Sequence, residues 1–399
     1  MKKTCYLIFL AVVTALIIYS GISGYGKMKS DLEYTGARED IESGVPEERI
    51  GALHFNKLTR KEQYIYDALA KAAEEYDEYT KKMPLIATEE ELRAAVNALL
   101  NDRPDLFYIN AMEFSLSDRV EIIEVGEGDE PDETEIIPVF TEDKYTRIYM
   151  PYMEYEDGLS LLERRFYASV SKVDTRLEGV LDPYLRAEVI HRYIIDVCCK
   201  ADGVDDGENV SNVYGALVEG EADSGGYAKA FKLLWERYDE GICHIMGYGG
   251  NYFAVILTDD GYFAVDPYGD DTDGVIDGVS LPGAVSHLRL CIGTESADKL
   301  IPGAQYSDMP HCLSGKDYYT YNGYTADTEG ELLTVLERML GECDVHGRSY
   351  FDLRYTGDDG LDAVKKAVTE LGRGCEVYTL SSEMNVYVVD ISPRSEEAQ

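Results

Sequence analysis

Apolar residues recur at helical spacing in two segments that follow residue 50. Thr59 and Glu62 have the spacing of a capping box, and so do Thr88 and Glu91, so we expect a helix to begin at each pair. The apolar stripe behind each box repeats every three or four residues, which predicts an amphipathic helix. The two stripes are Ile65, Ala68, Leu69, Ala72 and Tyr76 in the first helix, and Leu92, Ala95, Val96, Leu99 and Leu100 in the second.

Short apolar runs then predict strands, and two long helical patterns follow them. The strands are predicted at residues 107–116, 120–125 and 145–150, and the acidic loop 126–135 is predicted to be a solvated hairpin tip. One helix is predicted over residues 159–177. The next has Asp182 as its N-cap and Pro183 in its first turn, and it runs to about Cys199.

The central block, residues 213–273, predicts a helix followed by an antiparallel sheet. The helix spans residues 224–238, and Asp260-Gly261 is a hairpin signal between the last two strands. The three strands are predicted at residues 242–248, 252–257 and 262–265.

Strands alternate with helices at the C-terminal end of the chain, which predicts a small α/β sandwich. Its first strand is expected near Asp317, and the capping box of Thr328 and Glu331 opens its first helix. A strand (350–355), a helix (361–371) and a terminal hairpin (375–380 and 386–391) complete it. The predicted fold class of the whole chain is therefore α+β.

The N-terminus has the pattern of a secretory signal. Lys2 and Lys3 precede an apolar run, and residues 4–26 carry no charge. A cleaved signal peptide and an uncleaved membrane anchor (residues 5–22) both fit this run, so we expect an extracytoplasmic protein that is secreted or membrane-anchored. The predicted organisation is a leader (1–26), a tether (27–48), an N-terminal α+β region (49–180), a central domain (181–300) and a C-terminal α/β domain (313–392).

The chain is strongly acidic, with a net charge of −39 over 399 residues. Binding of nucleic acid phosphates needs clustered lysine and arginine, so we expect no nucleic acid partner, and membrane contact only through the N-terminal segment. Seven cysteines follow residue 26 without a C-x-x-C pair, and we interpret them as small buried hydrophobes. We expect neither a metal nor another cofactor. Asp270, Asp271, Asp273 and Asp277 lack the closing Glu of a calcium loop and are interpreted as a solvated turn.

The segment from Val213 to Phe231 carries the most specific pattern in the chain. It reads V-Y-G-A-L-V-E-G-E-A-D-S-G-G-Y-A-K-A-F, and it resembles the Y-G-A-L-V-x-G-x-A-x-C-x-G-Y-A-x-A-F pattern of the bacterial transglutaminase-like superfamily, which has a papain-like cysteine enzyme fold. Two later segments resemble the histidine and aspartate motifs of that family. They begin at Asn251 (N-Y-F-A-V-I-L) and Val265 (V-D-P-Y-G-D-D). The resemblance implies a core in which the helix at 224 packs on an antiparallel sheet.

The same resemblance implies acyl transfer by a cysteine, a histidine and an aspartate, but two of these positions differ here. Ser224 stands at the cysteine position and Asn251 at the histidine position, whereas Asp266 keeps the aspartate. A hydroxyl needs an adjacent base to become a nucleophile, and a carboxamide cannot accept a proton near neutral pH. We therefore expect a catalytically inactive domain.

These three residues also have an interpretation that needs no ligand. Ser224, or Asp223 before it, is a natural N-cap for the helix, and Asn251 and Asp266 could hydrogen-bond each other. Cys243 and His244 are neighbours on one strand and face opposite sides, so they cannot form a dyad. His191, His287, His311 and His346 have no partner that the sequence identifies.

Three functional hypotheses follow. The first is an extracellular binding module whose degenerate cleft takes a peptide, protein or cell-wall ligand. The second is an active protease, amidase or transamidase with Ser224 as nucleophile and a base that the sequence does not identify. The third is a structural spacer without a ligand.

Overall fold

The structure is a computed structural model that describes residues 36–41, 43–110, 123–125, 139–141, 145–152, 158–201, 209–237, 241–372 and 374–391. The predicted leader (1–26) and the predicted acidic loop (126–135) lie outside the described residues. So do parts of the predicted tether and of the strands expected at 107–116 and 120–125. Residues 36–41, inside the predicted tether, form helix α1.

The chain has a mixed α+β fold with several small sheets, which confirms the predicted class at that level. It divides into two compact units. The first contains the described residues of Met1–Leu100 and Ile109–Met153, and the second those of Asn101–Tyr108 and Glu154–Gln399. This division differs from the predicted organisation, because the helix at 159–177 and the C-terminal sheet both belong to the second unit.

The first unit is built on amphipathic helices that begin where their caps predict. Both capping boxes are formed, with Thr59 bonded to Glu62 and Thr88 bonded to Glu91 through their backbone and side-chain atoms. The helices are α2 (Leu53–Asn56), α3 (Arg60–Glu75) and α4 (Glu89–Asp102), and the strands are β1 (Ile123–Val125), β2 (Val139–Thr141) and β3 (Tyr145–Arg147). Strand β1 pairs parallel with β2, which pairs antiparallel with β3.

In the second unit, helices cover one face of a three-stranded antiparallel sheet. The helices are α5 (Leu159–Leu177), α6 (Pro183–Val197) and α7 (Ser224–Glu236), and the strands are β6 (Ile242–Tyr248), β7 (Asn251–Thr258) and β8 (Gly261–Val265) in that order. Asp182 caps α6 through the backbone N–H groups of Tyr184 and Leu185, as predicted. Helix α7 packs on β6 and β7, and α6 packs on α7.

A second sheet forms at the C-terminal end of the same unit. Its strand order is β11 (Thr325–Ala326), β12 (Tyr350–Tyr355), β14 (Val386–Asp390) and β13 (Glu376–Ser381), so the predicted terminal hairpin is confirmed. Helices α11 (Glu329–His346) and α12 (Gly360–Glu370) cover one face with a shared apolar core. The strand expected near Asp317 is wrong in position, because Asp317 caps the short helix α10 (Tyr318–Tyr321) and the strand begins at Thr325.

Short elements lie before helix α7 and between the two sheets. They are strand β4 (Cys199–Lys200), a π-helical turn (Gly215–Glu219), strand β5 (Glu221–Ala222), helix α8 (Pro267–Asp270), strands β9 (Val275–Ile276) and β10 (Val279–Ser280), helix α9 (Thr294–Leu300) and a 3-10 turn (Ala304–Tyr306). Ile276, Leu281 and Ala284 pack on Val388, on the sheet face opposite α11 and α12. Among the described residues, no helix has the length and apolar content needed to cross a membrane.

Candidate functional site

The N-terminal end of helix α7 carries the first of the three motif residues. Asp223 is the N-cap, because its side chain accepts a hydrogen bond from Gly226 N at 2.9 Å and another from the Ser211 hydroxyl. Ser224 is therefore the first helical residue, and it is 5% exposed. Of the two caps that the sequence allowed, the structure uses Asp223, which leaves the Ser224 hydroxyl for another contact.

The Ser224 hydroxyl is bonded to the backbone of the turn between β6 and β7. It donates to Gly250 O at 3.0 Å and accepts from Tyr252 N at 3.1 Å. Gly249 and Gly250 form this turn with φ values of +63° and +86°, which suit a two-residue type I′ hairpin. The hydroxyl thus fastens the start of α7 to the end of the hairpin.

Asn251 lies between the two groups that bond Ser224, but only its backbone is close to the hydroxyl. The Tyr252 ring reaches the start of α7, where its Cδ2 would lie 3.5 Å from a Cβ added to Gly225. Because neighbouring strand residues point to opposite faces, the Asn251 side chain points away from α7. Asn251 is exposed and pairs across the hairpin with Tyr248. The carboxamide is therefore not in the place of a base for Ser224.

Asp266 is buried and forms an ion pair with Arg289, a partner that was not predicted from the sequence. Its carboxylate accepts from Gly269 N at 2.9 Å and from Arg289 Nη1 at 2.8 Å. Burial raises the pKa of the Asp266 carboxyl, and the nearby charge of Arg289 opposes that rise. Position 269 must be glycine for this geometry, since a Cβ there would lie 1.4 Å from Arg289 Nη1. The expected bond between Asp266 and Asn251 is replaced by the pair with Arg289.

We call Ser224, Asn251 and Asp266 the motif site. The structure brings Ser224 to the backbone at Asn251 and gives Asp266 a separate partner. Among the described residues, no histidine nitrogen bonds the Ser224 hydroxyl. Cys243 and His244 are both buried on β6, and the His244 ring lies 6.0 Å from the Tyr262 ring.

A larger set of polar side chains is buried elsewhere in the second unit. His191 Nε2 on helix α6 lies 3.1 Å from Asp270 Oδ2, and both side chains are at most 1% exposed. The same carboxylate accepts from the Ser286 hydroxyl at 2.7 Å and from Arg289 N at 2.9 Å. Both carboxylate oxygens of Asp270 therefore have hydrogen-bond partners inside the protein.

His287 stands beside this group with a carboxylate of its own. Its Nδ1 lies 2.8 Å from Asp352 Oδ1 on strand β12, and its ring centroid lies 5.9 Å from that of His191. Asp352 Oδ2 accepts from His287 N at 3.1 Å and from the Tyr319 hydroxyl at 2.7 Å. The His287 ring also stacks on Tyr318 with a centroid distance of 4.0 Å. We call His191, Asp270, Ser286, His287, Tyr319 and Asp352 the histidine cluster.

The charges of His287 and Asp352 stabilise each other. Burial alone would lower the pKa of His287, but the charge and hydrogen bond of Asp352 outweigh it, so that pKa is raised. Burial alone would raise the pKa of Asp352, but the charge of His287 and the hydrogen bonds outweigh it, so that pKa is lowered. Because Nδ1 is held by the carboxylate, Nε2 is the ring nitrogen that remains for another partner.

The cluster also corrects one interpretation of the sequence. Asp270 and Asp271 do not belong to a solvated turn, because they are 1% and 6% exposed. Asp271 accepts from the Tyr227 hydroxyl at 2.6 Å, and Asp270 holds His191. Asp273 and Asp277 lie in the left-handed region of backbone conformation. The described part of the chain contains no group of acidic, histidine or cysteine side chains placed to hold a metal ion. The described cysteines are free thiols, and five of them are buried, as small hydrophobes would be.

No protein-family model matches this chain, and no curated protein matches it.

Proposed function

We propose that this chain is a transglutaminase-like domain protein, secreted or membrane-tethered, that no longer catalyses acyl transfer and binds an extracellular cell-wall or protein partner. The motif pattern of residues 213–231, with its continuation at Asn251 and Asp266, supports the family. A helix that begins at Ser224 and packs on an antiparallel sheet agrees with a papain-like core.

The observation that carries the loss of catalysis is the use of the motif side chains. The Ser224 hydroxyl is bonded to a carbonyl and an N–H group of the backbone, and neither of these can take its proton. Asp266 is held by Arg289, so it is not orienting a base beside Ser224. An active acyl-transfer enzyme with Ser224 as nucleophile would need a base that the described contacts of Ser224 do not include.

The test of inactivity uses covalent probes on the intact chain. A serine-directed fluorophosphonate and a thiol-directed acyl probe are applied to the parent, to Ser224→Ala and to the double variant Ser224→Cys/Asn251→His. We expect no label at position 224 in the parent, and thiol labelling in the double variant that comes from the introduced thiol, since a side chain at position 251 points away from α7. Labelling of the parent that Ser224→Ala removes would establish an active nucleophile and end this proposal.

The test of binding uses cosedimentation with insoluble peptidoglycan, the cell-wall polymer for which the experiment is simplest. We expect the parent and Ser224→Ala to sediment equally, because binding does not depend on nucleophilic chemistry. Binding that persists at 0.5 M salt, about a 4 Å screening length, would exclude simple charge attraction. Absence of the protein from the pellet under all conditions would refute cell-wall binding and leave the protein partner as the form to test.

A further inference from the structure

A small cavity lies beside His287, between helix α6, helix α11 and strand β12. Its free volume is about 20 Å³, which suffices for one water molecule. Polar side chains make up much of its wall, and those that matter here are Arg192, His287, Tyr324, Glu342, Arg348 and Asp352. The motif site contributes none of its residues to this wall.

The acceptors of the wall already have donors. Asp352 accepts three hydrogen bonds, two from His287 and one from Tyr319. Glu342 accepts from the Tyr324 hydroxyl at 2.8 Å. A ligand that offers only donors would therefore compete with bonds that the protein already makes.

The donors of the wall are less fully used. His287 has Nδ1 on Asp352, and its Nε2 takes part in no hydrogen bond among the described residues. Arg192 bonds Asp196 through Nε at 3.0 Å and also bonds the side chain of Tyr350, so it is already engaged at the edge of the cavity. The Arg348 side chain has neither a hydrogen bond nor an ion pair within the part of the chain that the structure describes. This surplus of cationic donors stands out in a chain with a net charge of −39.

We propose that this cavity binds a small oxyanion, a carboxylate or a phosphate, with one oxygen in the interior at His287 and the others towards Arg348. Charge-assisted hydrogen bonds from arginine and imidazolium to such oxygens are the stronger class of hydrogen bond. The oxygen takes the place of the one water molecule that the cavity admits. The site is separate from the proposed function, and neither depends on the other.

The surrounding charges predict how binding changes with pH and with mutation. Asp352 on β12 and Asp270 on α8 favour the protonated imidazole, and so does Glu188 on α6. His191 and Tyr318 stack on the ring, and Tyr319 bonds the same Asp352. The charged groups that share the cavity wall with the ring are Arg192, Glu342 and Arg348. Binding should strengthen as the pH falls and His287 becomes protonated. Glu188 is a like charge to the ligand, so Glu188→Gln should strengthen binding at low pH.

The experiment titrates the intact chain with inorganic phosphate and, separately, with acetate at constant ionic strength. Binding is read by calorimetry and by the NMR resonances of the His287 ring. Arg348→Met should weaken binding at least ~10-fold, the size of one charge-assisted hydrogen bond. His287→Gln should weaken it similarly and remove the pH dependence of acetate binding, because acetate, unlike phosphate, does not itself titrate between pH 5.5 and 8. Arg237→Met, which removes an arginine paired with Asp174, is the matched control and should bind like the parent.

The results of the two titrations distinguish a phosphate site, a general oxyanion site and the absence of a site. A shift with phosphate alone assigns the site to phosphates, and a shift with both ligands assigns it to oxyanions in general. If neither ligand moves the His287 resonances between pH 5.5 and 8, or if Arg348→Met binds as tightly as the parent, the proposal is wrong. Circular dichroism of each variant shows that a loss of binding is not a loss of folding.

Discussion

The motif site and the histidine cluster both contain buried polar groups, but they differ in how far apart in sequence their members are. Each residue of the motif site was located by a local pattern, and the side chains of Ser224 and Asp266 bond partners that lie 3 to 28 residues away. The histidine cluster joins residues from position 191 to position 352, and no local sequence pattern predicted it. A family pattern can locate a position without revealing what that position bonds.

The two regions also differ in what they hold together. Ser224 bonds the start of helix α7 to the adjacent β6–β7 hairpin, on which α7 packs. His287 and Asp352 connect the segment after the central sheet to strand β12 of the C-terminal sheet. Phe351 and Leu353 face the apolar core under α11 and α12, so Asp352 points to the opposite face, towards His287. The cluster is thus the polar part of the contact between the segment after the central sheet and the C-terminal sheet. The apolar part of that contact is formed by Ile276, Leu281, Ala284 and Val388.

Asp352→Ala should give the largest effect in this comparison. It removes the acceptor of three hydrogen bonds and leaves their buried donors without a partner, so the free energy of unfolding should fall by about 3–5 kcal/mol. Urea denaturation followed by circular dichroism measures this change. The control is Asp174→Ala, which breaks a half-exposed pair with Arg237 and should cost less than about 1 kcal/mol. Equal losses in the two variants would show that the cluster is not a special element of stability.

Arg289→Met should give a smaller loss in the motif site. Asp266 would stay buried without its cation, and we expect a loss of about 2–3 kcal/mol at pH 7, reduced because the Arg289 side chain is partly exposed. The pKa of Asp266 is raised by burial, so the folded protein binds a proton there more readily than the unfolded chain does. The deficit should therefore shrink as the pH falls.

The double variant Asp266→Asn/Arg289→Met is the control for that interpretation. Asparagine keeps an oxygen for Gly269 N and carries no charge, so the double variant should recover most of the stability that Arg289→Met loses. If the double variant is no more stable than Arg289→Met, the loss comes from packing around Arg289 and not from the buried charge of Asp266.

The parts of the fold that were predictable are those set by short-range chemistry. The capping boxes at Thr59, Thr88 and Thr328 each place a helix start, because the reciprocal hydrogen bonds lie within four residues. The strands of the central sheet follow from apolar runs and turn residues. Arg289 and Asp352 could not be assigned from sequence, since their partners lie 23 and 65 residues away and depend on how the layers pack. For the same reason Asp270 was misread as solvated: an aspartate after a strand has the same local pattern whether it faces water or a buried histidine.

The smallest effect that we predict is a change in the pH dependence of stability, and it isolates one proton in the histidine cluster. The pKa of His287 is raised in the folded protein, so its contribution to stability is fully present below about pH 6.5, the unfolded value, and is lost as the pH rises through the folded pKa. His287→Gln should remove this slope, which for one proton is at most about 1.4 kcal/mol per pH unit. His346→Gln, which changes an exposed histidine at the end of α11, should leave the slope unchanged.

Because the pKa of Asp352 is lowered, its own contribution is present at neutral pH and is lost only as the pH falls through that lowered pKa. The decisive range is therefore above pH 6.5, where urea denaturation at half-unit intervals should show the parent losing stability that His287→Gln does not lose. A parent curve that is flat or rising in this range would mean that His287 is neutral in the folded protein and that the pair with Asp352 is only a hydrogen bond.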